Sequence, residues 1–220
     1  MTIKQANHKM DLGRLIILPV FGLLLVANIA VVYNDIKALM PVNTIKVATL
    51  IHHLLLLCFY ALLVLLYVIR FSAKSTTRSF VTKTMAVVAT FLPFIIPLLS
   101  RPSDNPSILL LSSLVTICGI SIALYSLSTL GRSFSIIPQA RRLVQAGPYK
   151  LVRHPVYLGE LISIFGVVLA RPSSMALAVY CLLVALLIYR AVQEEKLLAG
   201  IFPEYETYCL RRARFLPGVF

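Results

Sequence analysis

The chain has 220 residues, of which 59% are hydrophobic and only 13% are charged, and its mean hydropathy is +0.89. A soluble domain of this size would expose too much apolar surface, so that class of protein is excluded. The net charge of +13 comes from basic residues in short loops between apolar runs, which indicates contact with anionic membrane lipids and not with nucleic acid.

Four apolar runs occupy the first 130 residues. They lie between Arg14 and Asp35, Lys46 and Arg70, Lys83 and Arg101, and Asn105 and Gly131. Each is close to or longer than the ~20 residues with which a helix crosses a bilayer. We therefore predict an all-α integral membrane protein with four spans within residues 1–130.

Two further apolar runs follow a polar segment, residues 131–155, which we predict to be a cytoplasmic loop. Only residues 171–174 join the two runs, so residues 156–191 are predicted to form a helical hairpin, which brings the total to about six spans. Apolar residues recur at helical spacing from residue 197 on, and residues 192–220 are therefore predicted to be a cytoplasmic amphipathic tail. All 220 residues then form a single membrane domain.

The distribution of lysine and arginine sets the orientation. With the N-terminus inside, 17 of the 21 basic residues fall in the segments 1–14, 70–83, 132–153 and 190–214. This asymmetry is what the positive-inside rule requires. Both termini, the polar loop and the tail are therefore predicted to be cytoplasmic.

A labelling experiment tests this orientation. In a variant without the native cysteines, a cysteine placed beside Arg171 is expected to react with a membrane-impermeant thiol reagent added outside intact cells, because the hairpin turn is predicted to be external. Reaction only after permeabilisation would mean that the hairpin does not cross the bilayer.

Polar residues that suit a ligand site lie at the start of the hairpin. Pro155 fits the first position of a helix, which makes His154 its N-cap. The free backbone N–H groups there carry partial positive charge, and Arg153 and His154 beside them complete a small anion site. Tyr157 follows one turn later, and Gly159 permits close approach of another backbone or a ligand.

Two adjacent carboxylates, Glu194 and Glu195, lie where the last run meets the cytoplasm, a position that is costly unless they meet cations. Arg190 precedes Glu194 by four residues, the spacing of a helical ion pair, which leaves Glu195 as the better ligand candidate. We predict that the carboxylate of Glu160 is stabilised in one of two ways, by the N-terminus of the hairpin's first helix or by a bound substrate. An anion site opposite a carboxylate pair suits a zwitterion such as S-adenosylmethionine.

The stretch VRHPVYLG at 152–159, followed by the glutamate pair, FPEYETY at 202–208 and a terminal Leu-Pro, resembles the isoprenylcysteine carboxyl methyltransferase family. That family is related to the membrane phospholipid N-methyltransferases, and the resemblance covers residues 130–217. It implies an S-adenosylmethionine pocket completed by the tail and a lipophilic small-molecule or lipidated acceptor that enters from the bilayer. The implied cofactor contacts are Gly147, Tyr149, His154, Tyr157, Gly159, Glu195 and Tyr205; Arg153 is the implied catalytic residue, and Glu160 and Glu194 are the implied substrate contacts.

The sequence is compatible with three acceptors: a prenylated cysteine carboxylate, a phospholipid amine or another lipid. The guanidinium of Arg153 can bind a carboxylate acceptor through two parallel N–H bonds. An amine acceptor would have to lose a proton before it attacks the methyl group. The four cysteines lack ligand spacing, so neither a metal nor a disulfide is expected. No GxG occurs in the chain, which excludes a soluble Rossmann-type methyltransferase domain.

Two other classes compete with this interpretation. Membrane sterol-type reductases, which use NADPH, carry a stretch similar to Tyr157-Leu158-Gly159-Glu160, but they have Asn where this chain has Val156. Their tails carry Arg-Asp-Glu where this chain has Gln-Glu-Glu. A non-catalytic scaffold would need no paired polar groups, and this chain has several.

Two pairs of polar residues are predicted to be structural. His52 and His53 are adjacent, so we place them on different faces of a helix. Arg141 and Arg142 are interpreted as a solvated or lipid-facing pair.

Overall fold

The computed structural model of the protein describes residues 12–216. The helices within this part are α1 (Leu12–Lys37), α2 (Thr44–Ile69), α3 (Phe80–Phe91), α4 (Ile96–Leu99), α5 (Pro106–Leu130), α6 (Pro155–Ala170), α7 (Ser174–Ala199) and α8 (Glu204–Arg211). Two short strands are β1 (Ser75–Thr76) and β2 (Gln139–Ala140). The predictions for residues 1–11 and for Pro217 of the terminal Leu-Pro lie outside the described residues.

The predicted all-α membrane fold is confirmed. Among the described residues, five helical segments are long and apolar enough to cross a membrane: Ile17–Lys37, Thr44–Ile69, Phe80–Leu99, Pro106–Ser133 and Ser174–Ala199. The remaining apolar helix, α6, has 16 residues, fewer than the ~20 of a typical span. Together they account for about six spans.

Side-chain caps define where four of the spans begin. Asn43, Ser79, Asn105 and Ser173 each accept a hydrogen bond from a backbone N–H in the first turn of α2, α3, α5 and α7, respectively. Such caps satisfy donors that have no partner within the helix. His154 takes the N-cap position of α6 and Pro155 the first helical position, as predicted, but the His154 side chain makes no capping bond. Its ring is therefore available for the site described below.

The third span is broken. A 3-10 turn at Leu92–Ile95 separates α3 from α4, because Pro93 and Pro97 supply no backbone N–H for helical hydrogen bonds. This span packs against α7, whereas α2 packs against α1 and α5. The second and third spans therefore belong to different sides of the molecule.

The closest helix pair is α5 with α6, which meet through small residues. A Cβ atom added to Gly119 of α5 would lie 2.7 Å from the Gly159 carbonyl oxygen, and one added to Gly159 would lie 2.7 Å from that of Gly119. Gly166 meets Thr116 and Ser112 in the same way, one to two turns along. Without side chains at these positions the two backbones come into direct contact, as in membrane helix pairs built on small residues.

Helices α6 and α7 run antiparallel. The Tyr157 hydroxyl meets Glu194 near one end, and the Phe165 ring lies 5.7 Å from that of Tyr180 further along. Residues 171–173 connect the two helices. The last turn of α7 therefore lies beside the first turn of α6.

A two-stranded sheet that the sequence did not predict joins the loop between α2 and α3 to the loop between α5 and α6. Strand β1 pairs with β2 in an antiparallel ladder, and Lys74 N donates to the Ala140 carbonyl at 2.7 Å. Arg141, adjacent to β2, is only 3% exposed, which corrects its predicted solvated position; its guanidinium donates to Gln139. Arg142 is exposed, as predicted, and stacks over the Phe71 ring at 4.0 Å.

The tail packs back on the loops through a short amphipathic helix. Helix α7 ends at Ala199, and α8 restarts the helix after Pro203. Tyr205 and Tyr208 of α8 are buried, at 2% and 7% exposure, whereas the residues between them are exposed. This one-sided burial agrees with the predicted amphipathic tail.

Candidate functional site

The site forms where the start of α6, the end of α7 and residues 213–215, here called the tail segment, come together. Val152 and Ala213 form a parallel bridge. Arg153 N donates to the Ala213 carbonyl at 2.9 Å, and His154 N donates to the Arg214 carbonyl at 3.1 Å. These backbone bonds hold the tail segment alongside the residues that enter α6.

Glu195 is the centre of a cluster of cationic side chains. Arg214 donates from Nε to Oε1 at 3.0 Å and from Nη2 to Oε2 at 2.9 Å, a bidentate fork. Arg153 Nη1 lies 3.2 Å from Oε2, and His154 Nε2 lies 3.0 Å from Oε1. Glu195 is only 9% exposed, so these partners offset the cost of burying its charge.

Glu194 is held by a second set of partners. The Tyr157 hydroxyl and Arg190 Nε both donate to its Oε1, the latter at 3.3 Å, which confirms the predicted helical pair with Arg190. His154 Nδ1 lies 3.8 Å from Glu194 Oε2. Because the other ring nitrogen of His154 meets Glu195, this imidazole links the two carboxylates.

Arg190 and Tyr157 lie against each other in the centre of the site. They line both of the cavities described below and are here called the shared wall. The Arg190 guanidinium lies 4.8 Å from the centre of the Tyr157 ring and donates to the Ser135 carbonyl at 3.2 Å. The Tyr157 ring also stacks on that of His154, with centres 5.3 Å apart and planes 3° from parallel. Arg190 is 4% exposed, so its charge is compensated almost entirely by the protein.

A cavity of about 100 Å³ lies in front of this wall; more polar and charged residues than apolar ones line it, and it is here called the polar cavity. The predicted site residues that line it are Tyr149, Arg153, His154, Tyr157, Glu194 and Tyr205. Tyr208, which the sequence analysis did not single out as a ligand, also lines it, and its hydroxyl donates to the Tyr149 carbonyl at 2.7 Å. Burial raises the pKa of Tyr208 to about 12, which keeps this hydroxyl protonated at physiological pH.

Three predicted cofactor contacts lie elsewhere. Gly159 meets the backbone of α5, and Gly147, at φ +53°, forms a turn against Thr129; neither lines the polar cavity. The close approach that Gly159 permits is therefore to another helix. Glu195 lies behind the cavity wall, in contact with Arg153 and His154, which do line it.

An apolar cavity of about 420 Å³ lies on the other side of the shared wall, among α2, the broken third span, α5 and α6. Leu56, Phe59, Leu63, Phe94, Ile120 and Ile164 are among its apolar lining residues. Glu160 is also among the residues that line this cavity. Tyr157 and Arg190 line both cavities, so a molecule in one would stand next to a molecule in the other.

The two adjacent histidines of α2 also line the apolar cavity. Their ring centres lie 4.7 Å apart. Neighbouring helical residues differ by ~100° in direction, and a cavity this wide covers both. His53 Nδ1 pairs with Asp35 of α1.

The stretch that carries both carboxylates and the start of α6 has known relatives. Residues 107–205 match the phospholipid methyltransferase family. The matched stretch begins in α5 and ends in α8, and it contains Arg153, His154, Tyr157, Glu194 and Glu195. The match supports a membrane methyltransferase.

Two curated proteins resemble part of the chain. The cobalt-zinc-cadmium resistance protein CzcN of Cupriavidus metallidurans is 38% identical over 98 residues, which are 42% of this chain and 45% of that protein. The nickel-cobalt-cadmium resistance protein NccN of Alcaligenes xylosoxydans xylosoxydans is 34% identical over 98 residues, or 42% of this chain and 46% of that protein. The similarity thus spans less than half the length of either relative. Among residues 12–216 no group of three or more His, Cys, Asp or Glu side chains is arranged to hold a metal ion.

Proposed function

We propose that this protein is an S-adenosylmethionine-dependent methyltransferase that acts on a lipophilic acceptor. The observation that carries the proposal is the pair of neighbouring cavities, one polar and one apolar, on either side of Tyr157 and Arg190. A charged donor and a membrane-soluble acceptor need such opposite surroundings and must also meet. The match of residues 107–205 to phospholipid methyltransferases supports the same chemistry.

The donor set fits the charges of S-adenosylmethionine. Arg153 and His154 supply cationic and N–H groups for its carboxylate, and Glu194 supplies a carboxylate for its ammonium. Glu195, behind the cavity wall, holds Arg153 and His154 in position. The polar cavity, at about 100 Å³, is smaller than the ~300–1,000 Å³ of sites that bury a ligand of this class. Binding therefore requires the cavity to widen.

The cofactor, when bound, supplies a methyl group on a positively charged sulfur. The protein's contribution is to position the donor and acceptor in line and to keep water away from them. Arg190 and Tyr157 are fixed by Glu194, Ser135 and each other, so the shared wall defines the direction of approach. No acid or base is required of these residues if the acceptor is already ionised.

The resemblance at 152–159 to isoprenylcysteine carboxyl methyltransferases favours a prenylcysteine carboxylate as the acceptor, with Arg153 to orient it. The family match to phospholipid methyltransferases favours a lipid amine. The distribution of basic residues supports a cytoplasmic site.

A cofactor-binding experiment tests the proposal. The purified protein in detergent is expected to bind S-adenosylmethionine in calorimetry without added metal. Glu195→Gln is expected to weaken this binding roughly ten- to a hundredfold, since it removes a charge-assisted bond of ~1.5–3 kcal/mol. Glu204→Gln, a change at an exposed position of α8, is the matched control and should bind the cofactor normally.

Melting curves of both variants separate loss of binding from loss of fold. Unchanged affinity in a well-folded Glu195→Gln protein would remove that residue from the site. If the unaltered protein binds NADPH and not S-adenosylmethionine, the result would contradict the methyltransferase proposal and support a membrane reductase.

A further inference from the structure

Glu160 is a carboxylate in apolar surroundings. It lies on α6 and lines the apolar cavity, and among the described residues its side chain has no hydrogen bond or ion pair. The charge of a carboxylate in such a place is costly unless a cation meets it. The nearby cation, Arg190, donates instead to Glu194 and to the Ser135 carbonyl. Glu160 therefore has the electrostatic requirement of a site for a cationic group.

The position of Glu160 relates this cationic site to the reaction. Glu160 follows Tyr157 by three residues on α6, which is about one helical turn. Tyr157 and Arg190 separate Glu160 from the polar cavity. A cationic group that meets Glu160 thus stands beside the wall that the two cavities share, where the methyl group must cross.

The length and lining of the apolar cavity indicate what is attached to that cation. Glu160 and Arg171 of the same polypeptide stretch both line it, and eleven residues of helix rise ~16 Å. The cavity has a volume of about 420 Å³ and is lined mostly by apolar residues, so a hydrocarbon tail on the cation fits along it.

The broken third span provides a route into the cavity from the bilayer. Phe94, in the 3-10 turn of that span, lines the cavity and is also 43% exposed. Phe59 of α2 lines the cavity as well, and α2 packs on α1 and α5, whereas the third span packs on α7. A chain dissolved in the membrane can therefore enter between the second and third spans.

We propose that Glu160 binds the ammonium group of a lipophilic primary amine acceptor and takes up one proton from it. This inference rests on the proposed methyltransferase function. The neutral amine and neutral acid that result are less costly in an apolar cavity than two charges. Glu160 is then a catalytic residue, because it touches the reacting nitrogen.

The transfer is balanced in charge and atoms. The ammonium gives a proton to the Glu160 carboxylate, and the nitrogen lone pair forms a bond to the methyl carbon. The carbon–sulfur bond breaks, its electron pair stays on sulfur, and the positive charge passes to the nitrogen of the methylated product. The proton on Glu160 then leaves to water, which restores the carboxylate for the next acceptor.

Equilibrium binding without cofactor tests the role of Glu160. Tritiated hexadecylamine and hexadecanoate, which differ only in the head group, are titrated against the detergent-solubilised protein. Hexadecylamine is expected to bind at least tenfold more tightly than hexadecanoate, and Glu160→Gln should weaken amine binding roughly ten- to a hundredfold. Glu204→Gln, a change at an exposed position of α8, is the matched control and should bind the amine normally.

The outcomes distinguish this inference from the proposed function. Equal amine affinity in Glu160→Gln and the unaltered protein, or tighter binding of hexadecanoate, would overturn the role of Glu160. S-adenosylmethionine binding is expected to be unchanged in Glu160→Gln; if the unaltered protein binds the amine but not this cofactor, the proposed function fails while the amine site stands.

Discussion

Arg190→Leu is expected to lower the free energy of unfolding by about 3–5 kcal/mol, the cost of removing one partner from a buried ion pair. Arg190 is 4% exposed, donates to Glu194 and to the Ser135 carbonyl, and lies over the Tyr157 ring. Leucine restores none of these bonds and leaves the carboxylate of Glu194 without its cation. Thermal denaturation in detergent measures the loss.

Two variants control for the loss of positive charge as such. Arg211→Leu removes one arginine from an exposed position and should leave the melting temperature almost unchanged. Arg190→Lys keeps the charge but not the guanidinium fork, so it should fall between the two. Equal stability of Arg190→Leu and Arg211→Leu would show that the ion pair with Glu194 contributes nothing to the fold.

Gly159→Ala is expected to destabilise the protein by about 3 kcal/mol, at the upper end of the cost of overpacking. The new Cβ would stand 2.7 Å from the Gly119 carbonyl oxygen. That atom belongs to the backbone of α5, so no side-chain rotation relieves the contact. The helices must separate, and the melting temperature in detergent should fall accordingly.

Gly22→Ala is the matched control for this substitution. Gly22 also lies within a membrane helix, α1, but an added Cβ there has no neighbour within 4 Å. Alanine is the better helix former by ~1 kcal/mol, so this variant should be as stable as the unaltered protein or slightly more stable. A similar loss of stability in both variants would contradict the close packing of α5 on α6.

The helices were predictable because charged and polar residues bound each apolar run. The run between Lys46 and Arg70 corresponds closely to α2, Thr44–Ile69. The sequence could not reveal which helices pack most closely. Residues 171–174 indicated that α6 and α7 are neighbours in the chain, but the direct backbone contact is between α6 and α5, through Gly119 and Gly159. The pairing of two-residue strands is likewise too short to leave a periodic pattern.

The site was predictable where local chemistry fixes it. The N-cap position of His154 follows from Pro155, and the pair of Arg190 with Glu194 follows from helical spacing. The bidentate partner of Glu195 was not predictable. Arg214 is one of three arginines near the end of the tail, and only the bridge of Ala213 to Val152 directs Arg214 rather than Arg211 to this carboxylate. Such a choice depends on contacts between distant segments.

The same bridge has a consequence for the order in which the protein is made. Arg153 and Arg214, which meet on Glu195, are separated by 61 residues of chain. At ~5–20 residues per second of synthesis, roughly 3–12 s pass between their appearances. During that interval α6 and α7 are synthesised, and the first turn of α6 lacks both the tail segment beside it and the guanidinium of Arg214. The membrane helices can therefore insert and pair before the charged cluster closes.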